Sequence, residues 1–270
     1  MNAKPARVLV IAGSDSGGGA GIQADIKTIT ALGGYAMTAL TAVTVQDTTG
    51  VHGIHAVPLS VIREQIRACL SDIGADAIKT GMLGTAEIVV AVAEEMAALA
   101  KHVPLIVDPV MVAKGGARLL AADAIEALRS RLLPLAAVVT PNAPEAEALT
   151  GVRIATPDDQ ERAGRVLCDM GAGAALVKGG HLASDTLTDV LVEGARIRRF
   201  VSPRIETAST HGTGCTLASA LAAGIAQGLS VEAATARARA YVRAAILAAP
   251  GFGRGHGPLN HMHAIGPYGS

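Results

Sequence analysis

In this 270-residue chain, acidic, amide and basic side chains recur where short apolar runs stop. Val107-Asp108-Pro109 ends one run in an acid, Thr140-Pro141-Asn142-Ala143-Pro144-Glu145 puts Asn-x-x-Glu after another, and Val177-Lys178-Gly179-Gly180 puts a lysine after a third. Each has a plain structural reading on its own. Asp before Pro forms turns, Asn142 and Glu145 suit the cap and first turn of a helix, and Lys178 suits a sheet edge. Gathered at one end of a parallel sheet, however, Asp108, Asn142 and Glu145 supply oxygen ligands for Mg²⁺ and Lys178 a cation for phosphates. Those are the parts a phosphoryl transfer needs.

Two glycine clusters add to this set. Residues 207–216, TASTHGTGCT, open directly onto the apolar segment 217–227. Gly212 and Gly214 let the backbone aim N–H groups at one point, where the helix dipole adds partial positive charge. A thiol so placed is expected to ionise below its usual value of about 8.5, which makes Cys215 a candidate base; the alternative is a cysteine that merely packs. Cys69 and Cys168 lie on helical stretches and read as structural. The second cluster, residues 13–25, leads from a strand into a helix start, where free amides attract anions or polar ligands. Its Gly19-x-Gly21-x-x-Ala24 loosely satisfies a dinucleotide fingerprint, but the loop before it is longer than that motif's tight turn and no Walker lysine follows. A mobile turn is the competing reading.

The elements that must hold these residues follow from hydrophobic patterning. Strands are expected at 7–13, 36–45, 77–79, 105–107, 137–140 and 174–178, with a hairpin of 190–192 and 196–201. Helices are expected at 20–32, 58–73, 85–101, 121–133, 144–150, 158–170, 214–227 and 231–248. This alternation predicts an α/β fold, a mostly parallel sheet with helices on both faces, as one domain over residues 1–270. In such a sheet, ligands collect at the carboxyl ends of the strands.

Composition removes other classes. Lys+Arg 23 against Asp+Glu 23 leaves no basic footprint for nucleic acid, and 2% aromatics without Trp leave few platforms for stacking bases. The apolar stretch 86–100 carries Glu87, Glu94 and Glu95 and is too short to span a bilayer, so no membrane partner is expected. Three cysteines without a C-x-x-C pair, and an N-terminus without a signal-peptide pattern, predict a cytoplasmic protein. His52 and His55 fall in a turn-rich segment and read as solvated. His256, His261 and His263 lie in a Gly/Pro-rich tail where nothing completes a metal set; the tail either packs over a site edge or lies loose.

Taken in order, AGSDSGGGAGIQAD, TAVTVQDT, IKTGML, VDPVMVAKGG, TPNAPEAEALTG, VKGGH, HGTGCTLASA and GHGPLN cover nearly the whole chain. In this order they resemble the hydroxymethylpyrimidine/phosphomethylpyrimidine kinases of thiamine biosynthesis, which have the ribokinase-like fold. The resemblance implies an ATP- and Mg²⁺-dependent kinase, expected as a homodimer, acting on a small aminopyrimidine alcohol and then on its monophosphate. It places Gln46 against the aminopyrimidine, with Gly13, Asp25 and Met82 around it. Cys215 takes the position where many sugar kinases carry an aspartate base, beside Gly212. Lys178 and the Thr213-Gly214 backbone would hold ATP phosphates, while Asn142 and Glu145 would organise Mg²⁺ and its waters. The nearest rival is a pyridoxal or pyridoxine kinase on the same scaffold. A nicotinamide-dependent oxidoreductase would leave Asp108, Asn142, Glu145, Lys178 and Cys215 without a task, and a non-catalytic pyrimidine sensor would need neither Cys215 nor Lys178.

Overall fold

Strand β1 (Arg7–Ala12) shows why the centre of the fold is buried. Leu9 and Ile11 pack into one core, while Val8, Val10 and Ala12 pack into a second core across the sheet. A strand covered on both faces needs this unbroken apolar run rather than alternation. The structure, a computed structural model, describes residues 4–113, 116–117 and 119–265. Lys114 and Gly115 of the VDPVMVAKGG segment, like the two ends of the expected 1–270 domain, lie outside the described residues.

Among the described residues the main sheet runs β10 (Arg196–Pro203), β9 (Thr186–Glu193), β8 (Ala175–Val177), β7 (Val138–Val139), β6 (Leu105–Val107), β5 (Ala77–Thr80), β1 and β2 (Tyr35–Leu40). It is parallel from β2 to β8, and β9 and β10 add an antiparallel hairpin at one edge. Helices α1 (Gly21–Ala31), α7 (Thr213–Ala226) and α8 (Val231–Leu247) cover one face through Ile22, Ile29, Leu221 and Ala238. Helices α2 (Leu59–Ala68), α3 (Ala86–Leu99), α4 (Ala122–Ala127), α5 (Ala143–Thr150) and α6 (Pro157–Asp169) cover the other through Ile66, Val92, Ala124, Leu149 and Leu167. The α/β architecture with helices on both faces is therefore as the sequence predicts.

The chain departs from expectation at residues 36–45, which form two strands in different sheets. At Thr41 the chain leaves the main sheet: its amide still reaches Ala12 O, but its hydroxyl donates to Met82 O at 2.7 Å. Beyond it, β3 (Ala42–Gln46) pairs antiparallel with β4 (Val51–Ala56) in a separate hairpin. Ala42 and Thr44 face inward while Val43 and Val45 are exposed, the two-residue period of a strand with one wet face. His52 and His55 are exposed, as expected, but lie on strand β4 rather than in a turn. The expected helix 58–73 keeps its expected end but is not α-helical throughout. After Ala68 it widens into a π turn over Cys69–Ile73 that stops at Gly74.

Candidate active site

Strands β6, β7 and β8 lie side by side, with Val107 opposite Val139 and Val139 opposite Ala175, so the residues after them leave the sheet at one edge. Asn142 and Lys178 continue the pairing as an isolated parallel bridge. Lys178 Nζ reaches Asp108 Oδ1 at 3.1 Å, and Thr140 Oγ1 donates to the same oxygen at 3.1 Å. Burial opposes the Lys178 charge, but Asp108 and Glu145 outweigh it and raise the ammonium above its usual range. Asn142 caps α5: its side chain accepts from the Glu145 amide at 2.9 Å, and Glu145 Oε2 accepts from the Asn142 amide at 2.8 Å. The pair is thus a helix cap as well as part of the cavity wall. Burial pushes the Glu145 carboxyl up to about 7; Lys178 works against this and Asp108 adds to it.

Helix α7 begins above this ion pair. Gly212 precedes it in the left-handed region (φ 79°), and a Cβ there would lie 1.8 Å from Gly19 O, so only glycine lets the two glycine loops touch. A Cβ on Gly214 would lie 3.4 Å from Lys178 Nζ and 3.9 Å from Asp108 Oδ2, so the first turn of α7 stands over the buried charges. The first-turn amides of a helix have no carbonyl of that helix to bond, which leaves Gly214 suited to a phosphate oxygen, while the Thr213 amide is only loosely held by Thr210 O at 3.4 Å. Cys215 shares this turn, but its thiol is not lowered as the sequence suggested. Burial pushes it up to about 11 and outweighs Lys79, with Asp25 and Asp108 adding to the rise. The helix dipole does not replace the lost water.

The opposite end of the same cavity, which totals about 1070 Å³, is walled by Gly13, Thr44, Gln46, Gly81 and Met82. A Cβ on Gly13 would come within 2.3 Å of Met82 Cε, so the missing side chain makes room for the methionine. Asp25 is not part of this wall. It is fully buried on α1, with Lys79 Nζ 3.0 Å from both its oxygens and Ser219 Oγ donating at 2.6 Å. The cavity meets Lys79 instead. The first glycine loop is also not an anion cradle: the amides of Gly17, Gly19 and Ala20 already donate to the Asp15 carboxylate at 2.8, 3.0 and 2.8 Å. That removes the dinucleotide reading of Gly19–Ala24 on physical grounds, since its donors are spent.

Asp15 and His211, which the sequence reading did not single out, meet here. His211 Nε2 lies 2.7 Å from Asp15 Oδ2, across 196 residues of chain, and 3.4 Å from Gln46 Nε2. The C-terminal tail packs against the same loop: His211 N donates to Gly257 O, and His256 N to Thr48 O. His261 is buried with Nε2 2.9 Å from Thr216 Oγ1, and burial lowers it to about 4. Of the two expectations for the tail, packing is the one realised.

A ribokinase-like α/β sheet, with an ion pair and a glycine-led helix start at one end of a cavity and a small polar pocket at the other, defines a small-molecule kinase. Residues 15–260 match the phosphomethylpyrimidine kinase family, and the chain belongs to it. It is 53% identical over 257 residues to the thiamine biosynthesis bifunctional protein ThiED of Geobacter sulfurreducens, covering 95% of this chain and 52%, about half, of that longer protein. It is 50% identical to the hydroxymethylpyrimidine/phosphomethylpyrimidine kinase of Streptomyces coelicolor, covering 97% of this chain and 96% of that one. Among solved structures, the pyridoxal kinase from Staphylococcus aureus in complex with AMP-PCP and pyridoxal superposes with a TM-score of 0.89 at 38% identity, covering 96% of this chain and 94% of that one. Among the described residues, no helix is long and apolar enough to cross a membrane.

Proposed function

We propose that the protein transfers the γ-phosphoryl group of ATP to the hydroxymethyl oxygen of 4-amino-5-hydroxymethyl-2-methylpyrimidine, and then to the resulting monophosphate, giving the diphosphate. The observation that carries this is one cavity lined by Gln46 and Met82, by Lys178 and Asp108, and by Cys215. An alcohol held at the Gln46 end would face a triphosphate held at the Lys178 end, and positioning with charge stabilisation accounts for most of such a transfer.

The residues present also suit Mg²⁺. Asp108 and Glu145 are two buried carboxylates facing the cavity, and Gly214 leaves open the space beside Asp108 that a side chain would fill. Hard oxygen donors of this kind favour a small divalent cation. Asp108, Asn142 and Glu145 would hold it, with Asn142 and Glu145 acting through water because each already shares a hydrogen bond in the α5 cap. When bound, Mg²⁺ would neutralise charge on the phosphate oxygens. Lys178 and the amides of Thr213 and Gly214 would receive the remaining phosphate charge, and the Cys215 thiolate would take the alcohol proton. The expected homodimer and the cytoplasmic location read from the cysteines and N-terminus stay within this proposal, tested by light scattering and by cell fractionation.

The fit to a pyridoxal kinase supports a second reading, phosphorylation of pyridoxal or pyridoxine. The deciding experiment measures ATP consumption with the pyrimidine alcohol, its monophosphate, pyridoxal and ribose. The pyrimidine alcohol is expected to give the highest kcat/KM among the alcohols. A larger value for pyridoxal would overturn the substrate and leave the kinase in place.

A further inference from the structure

Gln46 makes two side-chain contacts, and as placed neither is a sound hydrogen bond. At one end its Nε2 faces His211 Nε2 at 3.4 Å. That His211 nitrogen is also 2.7 Å from Asp15 Oδ2. Asp15 is 1% exposed and accepts from the amides of Gly17, Gly19 and Ala20. An acceptor of so many N–H groups is a carboxylate, not a carboxylic acid. Burial works against its charge, but His211 and these amides outweigh burial and hold the carboxyl below its usual range. His211 Nε2 must therefore carry a proton and donate it to Asp15. A second N–H pointed at that nitrogen from Gln46 would meet a donor.

At the other end, Gln46 Oε1 lies 3.3 Å from Thr44 Oγ1. Thr44 has one hydroxyl proton, and a nearer acceptor, Ser14 O at 2.9 Å, takes it. Ser14 O is a carbonyl and can only accept, so Gln46 Oε1 faces an oxygen with no proton left to give. Which end of a glutamine amide is oxygen is decided by the partners it finds. One half-turn of this amide repairs both contacts at once. The oxygen then faces His211 Nε2–H, whose proton stays with the nearer Asp15, without opposing it, and the nitrogen donates to the free lone pair of Thr44.

We infer that Asp15, acting through His211, fixes the sense of the Gln46 amide, oxygen toward His211 and nitrogen toward Thr44, and so selects which ring edge the pocket accepts. This rests on the reading that Gln46 meets the aminopyrimidine. Asp15 and His211 are positioning residues, and Thr44 and Ser14 complete the lock from β3 and the first glycine loop. All of them line the cavity at the Gln46 end. With both ends tied, the amide keeps one N–H and one lone pair for a ligand, in a fixed order along the pocket. A ring carrying an exocyclic amine next to a ring nitrogen matches one order. A ring carrying an oxo group at that place needs the reverse, and it leaves buried groups unpaired, which is how such sites discriminate.

The direct test is long-range ¹H–¹⁵N correlation on the whole ¹⁵N-labelled protein, with the His211 signal assigned by its loss in His211→Phe. A proton on Nε2 is expected; an unprotonated Nε2 overturns the inference. The functional test is calorimetric binding of the aminopyrimidine alcohol and of its 4-oxo analogue. The folded protein is expected to prefer the amine, and His211→Phe and Asp15→Asn, each checked for folding by circular dichroism, to narrow that preference about tenfold. Asp15→Asn can turn its NH₂ toward His211 and so reverse the relay. An undiminished preference in folded His211→Phe would refute the relay even if Asp15→Asn does not fold. Failure of the unsubstituted protein to bind either pyrimidine would instead sink the proposed substrate, and the nitrogen spectrum would still decide the relay.

Discussion

Replacing Cys215 by Ser tests the proton-transfer role where burial makes it most demanding. With its thiol pushed up to about 11, Cys215 is ionised in about one molecule in ten thousand at pH 7. If that thiolate takes the alcohol proton, single-turnover phosphorylation of the pyrimidine alcohol should rise about tenfold per pH unit from pH 7 to 9.5, without the plateau near 8.5 that an ordinary thiol would give. Transfer to the monophosphate should be nearly flat over the same range, because a phosphate oxygen is already ionised and needs positioning rather than proton removal. Cys215→Ser keeps the size and hydrogen-bonding capacity, so the backbone around Gly212 and Gly214 is undisturbed. It should slow the first step by ~10²–10⁴-fold, abolish its pH slope and leave the second step much less affected. Rapid-quench measurement of each step with purified acceptor distinguishes the outcomes. A plateau near pH 8.5 would mean that the bound substrates undo the effect of burial. Equal slowing of both steps would assign Cys215 to loop geometry, and no slowing would leave it a packing residue.

Three further outcomes follow from the buried charges. Lys79→Met strands the fully buried Asp25 carboxylate, which should cost about 3–5 kcal/mol in urea unfolding, and adding Asp25→Leu should recover most of it; a double variant as unstable as the single one contradicts the isolated-pair picture. Lys178→Ala should reduce turnover by a few kcal/mol of transition-state stabilisation while pyrimidine affinity, read by calorimetry, stays nearly unchanged; loss of pyrimidine binding in the folded variant would remove Lys178 from the phosphate end. Because the folded state keeps the Cys215 proton up to about 11, while the unfolded chain releases it near the ordinary value of about 8.5, stability should fall as pH rises through that window, by roughly 3 kcal/mol. Urea midpoints from pH 8 to 11 should show that part of the fall missing in Cys215→Ala, and parallel curves for the two proteins would refute it.

Much of the scaffold was legible because each parallel strand is a compact apolar run ended by polar chemistry: Asp108, Asn142 and Lys178 stand at the same edge because β6, β7 and β8 are in register. Gly13, Gln46, Met82, Glu145 and Cys215 also line one cavity. What escaped the sequence lacks a local pattern. Asp15 and His211 are 196 residues apart, and Lys79 and Asp25 are 54 apart, so no spacing announces either pair. The split of 36–45 was hidden because Thr41, where the strand breaks, is itself a good β-former. The direction of the Cys215 shift was missed for a different reason. A helix start does favour a thiolate, but that effect is local and small, whereas burial is a property of the assembled fold and the larger of the two.

The two buried ion pairs illustrate how the same side-chain types serve different ends. Lys79 and Asp25 are both 0% exposed, and although Lys79 borders the cavity, its ammonium spans both oxygens of Asp25 while Ser219 occupies a further lone pair of the acid. Such a pair orders β5, α1 and α7 behind the cavity and adds little net stability for the charge it buries. Lys178 and Asp108 differ by a small opening. Lys178 is 13% exposed, and above it the Gly214 position carries no Cβ. Without that opening the ammonium would stay committed to Asp108. With it, an incoming phosphate oxygen would meet a cation whose desolvation was already met when the chain folded, and Asp108 would be left free to hold Mg²⁺ under the proposed function. The cost of burying the charge is thus borne in folding and not at the moment of transfer, which is what preorganised electrostatic stabilisation requires.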